Sequence, residues 1–211
     1  MRQLQRLVKE MTREISGGMC KAPTKALLLV GVGGQGTILA SKVLSEGLVR
    51  QGYDVKMSEI HGMAQRGGSV ITQIKFGAKV ASPIIGLGEA DAIVAFEKVE
   101  AVRCLPFLKA DGVLVVNNHE IYPLPVLTGQ EEYPTGVLEF LQKRVKKCTV
   151  MDANNIAAEL GNTKAQNIVL LGAVIKALGL EDLDWEEILQ KYLPAKVYEL
   201  NLQALEAGLN F

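Results

Sequence analysis

An apolar run that stops on glycines and restarts as an amphipathic helix leaves a chain few folds to choose from. Ala26–Val32 is such a run, free of charge, and suits a strand buried on both faces of a sheet. Gly31-Val32-Gly33-Gly34-Gln35-Gly36 ends it, and Thr37–Arg50 then places Ile38, Leu39, Val43, Leu44 and Leu48 at helical spacing. Gly31, Gly33 and Gly36 fit the G-x-G-x-x-G pattern between a strand and a helix. A tight turn there needs positive φ, and a missing Cβ lets a ligand approach the backbone. The first N–H groups of the helix and the positive end of its dipole suit an anion. Gly31, Gly33, Gly34, Gln35, Gly36 and Thr37 are therefore a candidate binding loop. A glycine turn with no ligand reads equally well.

Strands and helices continue to alternate. Tyr53–Ser58 and Val70–Phe76 read as a second and third strand, the third with partial alternation that places it near an edge. Ala92–Phe96 and Val113–Val116 are short apolar runs with a helix expected over Val99–Leu108 between them. Thr149–Met151 is a last strand, and from Asn154 onward the chain is mainly helical, broken near Gly161, Gly179 and Pro194. This order predicts an α/β fold: a Rossmann-like open, mostly parallel sheet flanked by helices, with a helical C-terminal part. Residues 25–211 are expected to form one domain. Ile121–Gly136, with three prolines and two glycines, is an irregular stretch long enough to suggest a functional, partner-contacting or mobile loop.

Ahead of this domain, residues 1–24 read as an amphipathic helix and linker. Leu4, Leu7, Val8, Met11 and Ile15 recur at helical spacing, with Glu10 and Glu14 among the bases, and Gly17-Gly18 ends the pattern. The acids argue against a transit peptide, and no cleavable signal is expected. Lys+Arg and Asp+Glu both number 23, which argues against a nucleic-acid binder. The longest apolar run, Ile168–Ile175, falls well short of the ~20 residues of a membrane span. Three scattered cysteines, Cys20, Cys104 and Cys148, give no CxxC pair and point to free thiols in a reducing cytoplasm.

A second constellation is Ser58-Glu59-Ile60-His61-Gly62-Met63-Ala64-Gln65-Arg66-Gly67-Gly68-Ser69. It follows a strand and is expected on the same carboxyl edge as the glycine loop, where open α/β sheets bind ligands. Arg66 before two glycines offers a guanidinium beside exposed N–H groups, suited to a carboxylate or phosphate; a structural salt bridge is the plainer reading. Glu59 and His61 share a strand face and could pair, or His61 could cap a turn. Glu59 also lies about 20 residues past the glycines, where a dinucleotide-binding enzyme carries its ribose-binding acid. A self-sufficient NAD(P)-binding dehydrogenase or nucleotide-binding module is thus an open alternative. Late in the chain, Asp152 reads as a helix N-cap, and Gly172 within a helical run suggests close helix packing, with another subunit as one candidate neighbour. No metal site and no catalytic nucleophile are expected; His119 is remote from His61, and no GxSxG or P-loop lysine occurs.

The glycine loop, the Glu59–Ser69 stretch, Asn117 after its strand, Tyr133-Pro134, and Asn167 with Leu171-Gly172 together resemble the gamma domain of the 2-oxoacid:ferredoxin oxidoreductases. The Glu59–Val70 segment is most similar to the beta subunit of the indolepyruvate branch. The resemblance runs from about Lys25 to Leu178 and leaves the N-terminal segment outside. It implies a holoenzyme that decarboxylates an aryl 2-oxoacid on thiamine diphosphate with magnesium, passes electrons through iron–sulfur clusters to ferredoxin, and releases an acyl-CoA. It implies a partner alpha subunit holding the thiamine diphosphate and the clusters, so that this chain binds no cofactor by itself, has no catalytic residue of its own and is inactive alone. It further implies that Glu59, His61, Gln65, Arg66, Gly67, Gly68, Asn117 and Asn167 face that partner or the CoA.

Overall fold

A computed structural model describes residues 23–62 and 67–211. The expected N-terminal helix, Gln65 and Arg66 lie outside the described residues. Six strands form one sheet: β1 (Lys25–Val32), β2 (Asp54–His61), β3 (Ser69–Gly77), β4 (Ala90–Ala95), β5 (Leu108–Asn117) and β6 (Lys147–Met151). The helices are α1 (Thr37–Arg50), α2 (Lys98–Cys104), the four-residue α3 (Leu124–Leu127), α4 (Val137–Arg144), α5 (Ala153–Glu159), α6 (Gln166–Leu178), α7 (Trp185–Tyr192) and α8 (Ala195–Asn210).

The strand order is β2-β3-β1-β4-β5-β6. β1, β4, β5 and β6 pair in parallel, and β3 pairs antiparallel with both β1 and β2. Every strand but β3 therefore points the same way, and the expected α/β fold with a mostly parallel sheet holds. What the strand pattern alone did not disclose is that β3 slots between β1 and β2 as the return arm of a hairpin. That hairpin extends β2 to His61, three residues past the expected end, because the antiparallel ladder runs on to the pair His61–Val70.

β1 explains the architecture. Leu27 and Leu29 point to one face and Leu28 and Val30 to the other, all essentially inaccessible to water, as a central strand requires. On the first face they meet Ile74, Phe76, Val94 and Val115 beneath a thick layer of α1, α5, α6, α7 and α8. On the second they meet Ile93, Leu114 and Val116 beneath only α2, α4 and Ile85. Between α2 and β5, Pro106 ends the helix sooner than its apolar spacing suggests. Helical geometry stops at Cys104, a 3-10 turn covers Leu105–Phe107, and β5 already begins at Leu108.

Gly172 packs within the chain rather than against another subunit. A Cβ there would lie 2.4 Å from the Leu205 carbonyl oxygen, and one on Gly208 would lie 2.0 Å from that of Val169. The two glycines let the backbones of α6 and α8 touch.

Candidate functional site

The carboxyl ends of β1, β2, β4, β5 and β6 share one edge, and both glycine-rich segments lie on it. The backbone N–H of Gly33 donates to the Gly68 carbonyl at 2.8 Å, so the β1–α1 loop is tied to the loop between β2 and β3. Gly34 (φ 102°) and Gly36 (φ 80°) occupy the left-handed region, which side chains with a Cβ rarely adopt. A Cβ on Gly34 would meet nothing within 4 Å, whereas one on Gly36 would lie 2.5 Å from Asn167 Nδ2. Gly34 thus faces open space and Gly36 lies against the protein. Gly36 caps α1 without a side-chain hydrogen bond, and no acid stands in the first turn. The leading N–H groups of a fourteen-residue helix are left to favour an anion.

The polar side chains expected to face outward are mostly consumed inside. Gln35 accepts from Val32 N–H at 2.7 Å and donates to the Phe96 carbonyl at 2.8 Å; it clamps the ends of β1 and β4 together. Asn117, wholly buried, donates to the Phe96 carbonyl (3.2 Å), Asn154 Oδ1 (2.9 Å) and Gln166 Oε1 (3.2 Å), and accepts from Ala153 N–H (3.0 Å). Asn167, also buried, donates to the Gly36 carbonyl at 3.3 Å. The outward-facing expectation for Asn117 and Asn167 is corrected: both carboxamides satisfy backbone groups where four elements converge, and neither is open to a ligand. A buried amide gains from such saturation because an unmet donor there is costly. Asp152 does cap α5, accepting from Asn155 N–H at 2.9 Å.

Glu59 and His61 lie on the edge strand β2, Glu59 half-buried and His61 exposed. Glu59 pairs across the sheet with Thr72, which in turn pairs with Leu29. It is therefore two strands away from β1, about 10 Å at ordinary strand spacing, and inside β2 rather than at its tip. A ribose-binding acid acts from the strand next to β1, so the insertion of β3 removes Glu59 from that role. His61 Nδ1 approaches only the Gly62 carbonyl, at 3.4 Å. No hydrogen bond joins Glu59 to His61 among the described residues.

A cluster that sequence reading missed borders the glycine loop. Glu97, buried at the N-cap of α2, accepts from Glu100 N–H at 2.9 Å with one oxygen and from the Tyr133 hydroxyl with the other. Glu100, also buried, accepts from Ser69 Oγ at 2.5 Å and from Arg103 Nη1 at 2.8 Å. Burial, then the Glu97 carboxylate, pushes the Tyr133 hydroxyl well above the usual phenol range. Lys98 pairs with Glu120, which accepts from Tyr122 at 3.1 Å, and the Tyr122 and Tyr133 rings lie 5.1 Å apart. Together these contacts strap the irregular Ile121–Gly136 stretch onto the start of α2. Glutamate is not a favoured N-cap residue, so the pattern Glu97-x-x-Glu100 gave no signal.

The family model for pyruvate ferredoxin/flavodoxin oxidoreductase matches residues 26–211. The chain belongs to this family. It is 37% identical over 190 residues to the indolepyruvate oxidoreductase subunit IorB of Thermococcus kodakarensis, covering 87% of this chain and 93% of the relative. The pyruvate/ketoisovalerate oxidoreductases common subunit gamma of Pyrococcus furiosus is 30% identical over 177 residues, 82% of this chain and 89% of the relative. In fold the chain is similar to the pyruvate oxidoreductase subunit PORC of Thermotoga maritima, with a TM-score of 0.67 at 23% identity, covering 89% of this chain and 96% of that one. As a member of the pyruvate ferredoxin/flavodoxin oxidoreductase family, the chain is a subunit of a multi-subunit oxidoreductase.

The thiamine diphosphate and iron–sulfur groups implied by the family resemblance find no fitting ligand set among the described residues. A cluster needs about four thiolates close together; Cys104 is on α2, Cys148 on β6, and Cys20 lies outside the described residues. Among the described residues no group of three or more His, Cys, Asp or Glu side chains could hold a metal ion. No helix among them is long and apolar enough to cross a membrane.

Proposed function

We propose that this chain is the gamma-type subunit of an indolepyruvate, or closely related aryl 2-oxoacid, ferredoxin oxidoreductase, working in the cytoplasm as a single domain over residues 25–211. An alpha subunit supplies thiamine diphosphate, magnesium and the iron–sulfur clusters. In the overall reaction the 2-oxoacid loses carbon dioxide, its acyl carbon is oxidised and joined to the thiol of CoA, and the released electrons reduce ferredoxin. The identity to IorB, spread over nearly the whole length of both chains, carries this reading.

The carboxyl edge is the side turned to the partner and to CoA. Glu59, His61, Gln65, Arg66, Gly67 and Gly68 belong to that surface, as do Gly33 and Gly34; Gly31 and Thr37, expected in the same loop, are buried beneath it. Ile38 in the first turn of α1, Ile60 at the end of β2, and Leu124 and Leu127 on α3 are all exposed. Apolar residues grouped along the edge that carries the glycine loop are what a permanent subunit contact uses. The open N-terminus of α1, beside Gly34, suits a phosphate of CoA.

The test is reconstitution. Viologen or ferredoxin reduction by indolepyruvate with CoA is expected only when this chain and the alpha subunit are combined. Turnover by this chain alone with added thiamine diphosphate and magnesium overturns the reading.

A further inference from the structure

One segment of the carboxyl edge, residues 123–132 with α3 inside it, hangs from the rest of the molecule by its two ends. Its backbone bonds turn inward: Leu127 N–H donates to the Pro123 carbonyl at 3.1 Å, Thr128 N–H to that of Leu124 at 2.9 Å, and Gln130 N–H to that of Pro125 at 2.8 Å. Thr128 Oγ1 adds bonds to the Leu124 and Pro125 carbonyls. Among the described residues, no hydrogen bond or ion pair joins 123–132 to any other part of the chain, and none of these residues is buried. The segment is a self-bonded unit whose place on the sheet edge is set at its ends.

Both ends are tied to the start of α2. Ahead of the segment, the His119 carbonyl accepts from Lys98 N–H at 3.1 Å, and Glu120 pairs with the Lys98 ammonium. Behind it, the Tyr133 hydroxyl donates to Glu97, and the Tyr122 and Tyr133 rings close the ends on each other. The second tie has the firmer anchor. Glu97 is 1% exposed, and its other oxygen caps α2. The carbonyl just before it, that of Phe96, holds both Gln35 of the glycine loop and Asn117. The segment and the glycine loop are therefore positioned from neighbouring residues, and a partner seated on the loop meets α3 beside it. A buried carboxylate gains little stability over a well-packed apolar side chain. What its charge-assisted bond adds is direction.

The segment presents a definite chemistry. Leu124 and Leu127 are 71% and 68% exposed, and a spacing of three puts them on one face of the turn. Glu131 and Glu132 are exposed, and no Lys or Arg occurs from Ile121 to Gln142. Two bare leucines beside uncompensated acids fit an apolar surface bordered by basic groups.

We propose that Glu97 and Tyr133 are positioning residues of the subunit contact: their bond latches α3 where Leu124 and Leu127 seat on an apolar, positively bordered surface of the alpha subunit. The latch rests on the reading of the carboxyl edge as the partner's side. It adds to that reading the residues that hold the contact in place and the character of the surface it meets.

The test combines the purified chain with the alpha subunit, with affinity read by calorimetry and turnover by viologen reduction with indolepyruvate and CoA. Tyr133→Phe keeps the ring and removes only the donor. It should weaken subunit affinity about tenfold, leave turnover at saturating chain unchanged, and lower the thermal midpoint of the lone chain by no more than a few degrees. Hydrogen exchange of residues 126–131 should quicken while β4 and β5 keep their protection. Leu124→Ser with Leu127→Ser should weaken assembly at least as much. Adding Tyr133→Phe to that pair should cost less than about twofold more, because the latch acts through the two leucines. A full tenfold loss on top of the leucine pair overturns the proposal, as does Tyr133→Phe assembling as tightly as the unaltered chain. Self-association of the lone chain that Tyr133→Phe abolishes makes a second copy the occupant and overturns it too. An unaltered chain that does not combine with the alpha subunit defeats the reading of the edge and the latch with it, whereas normal assembly indifferent to Tyr133 defeats the latch alone.

Discussion

Gly36 carries two constraints that can be separated by substitution. Its φ of 80° disfavours any Cβ, and Asn167 Nδ2 would lie 2.5 Å from that Cβ. Gly34 carries only the first, with open space around it. Gly34→Ala should therefore cost about 1 kcal/mol and Gly36→Ala about 2–3 kcal/mol, read as the drop in thermal midpoint; equal losses would remove Asn167 from the account. Cys104 gives a second residue-scale prediction. Burial, with Glu100 adding and Arg103 opposing, pushes its thiol up to about 11 from an ordinary 9.0. The folded state favours the neutral thiol, so its contribution is complete below pH 9 and is lost as pH rises through 11. Iodoacetamide should spare Cys104 in the folded chain near neutral pH, and Cys104→Ala should flatten the fall in stability between those two values. The glycine motif marked Gln35, and the family resemblance marked Asn117 and Asn167. Their inward roles were illegible because Phe96, Asn154, Gln166 and Gly36, their partners, are brought in by elements up to 131 positions apart.

At the scale of elements, runs buried on both faces were the easiest to read. β1 and the cores of β4 and β5 are uninterrupted apolar stretches, whereas β2 is a half-exposed edge strand. Its alternation is blurred because neither face is fully covered, so its end at His61 is set by the ladder with β3 rather than by its own pattern. The position of β3 is a matter of pairing, which a single strand's composition does not encode. The α6–α8 contact is similar: Gly172 stood out, but Gly208, its counterpart, lies in a helix with no other sign of close approach. Because a Cβ at either site would collide with backbone rather than a movable side chain, Gly172→Ala and Gly208→Ala should each cost about 3 kcal/mol or more. The double variant should lose clearly less than the sum, since the first substitution already parts the helices. Simple additivity in chemical denaturation would mean the two glycines do not share one contact.

For the whole molecule, the decisive fact is that one sheet edge gathers the glycine loop, the β2–β3 loop and the strapped 121–136 stretch, while redox and metal chemistry have no foothold among the described side chains. The same edge could have served a nicotinamide dinucleotide had β2 been the neighbour of β1. With β3 interposed, the half-buried Glu59 faces neither the glycine loop nor the ribose position, and the anion-favouring end of α1 stands without the acid that completes a dinucleotide site. Among the described residues, a phosphate bound there would rest on backbone N–H groups, a weak and unselective attachment that a partner's residues would strengthen. The purified chain should therefore be colourless and leave NADH fluorescence unchanged at micromolar concentrations. It should hold CoA measurably better once the alpha subunit is present than before, by calorimetry on the two preparations. Retention of NADH by the chain alone, or CoA affinity that is the same with and without the partner, would place a complete nucleotide site on this edge and contradict the division of labour argued from its geometry.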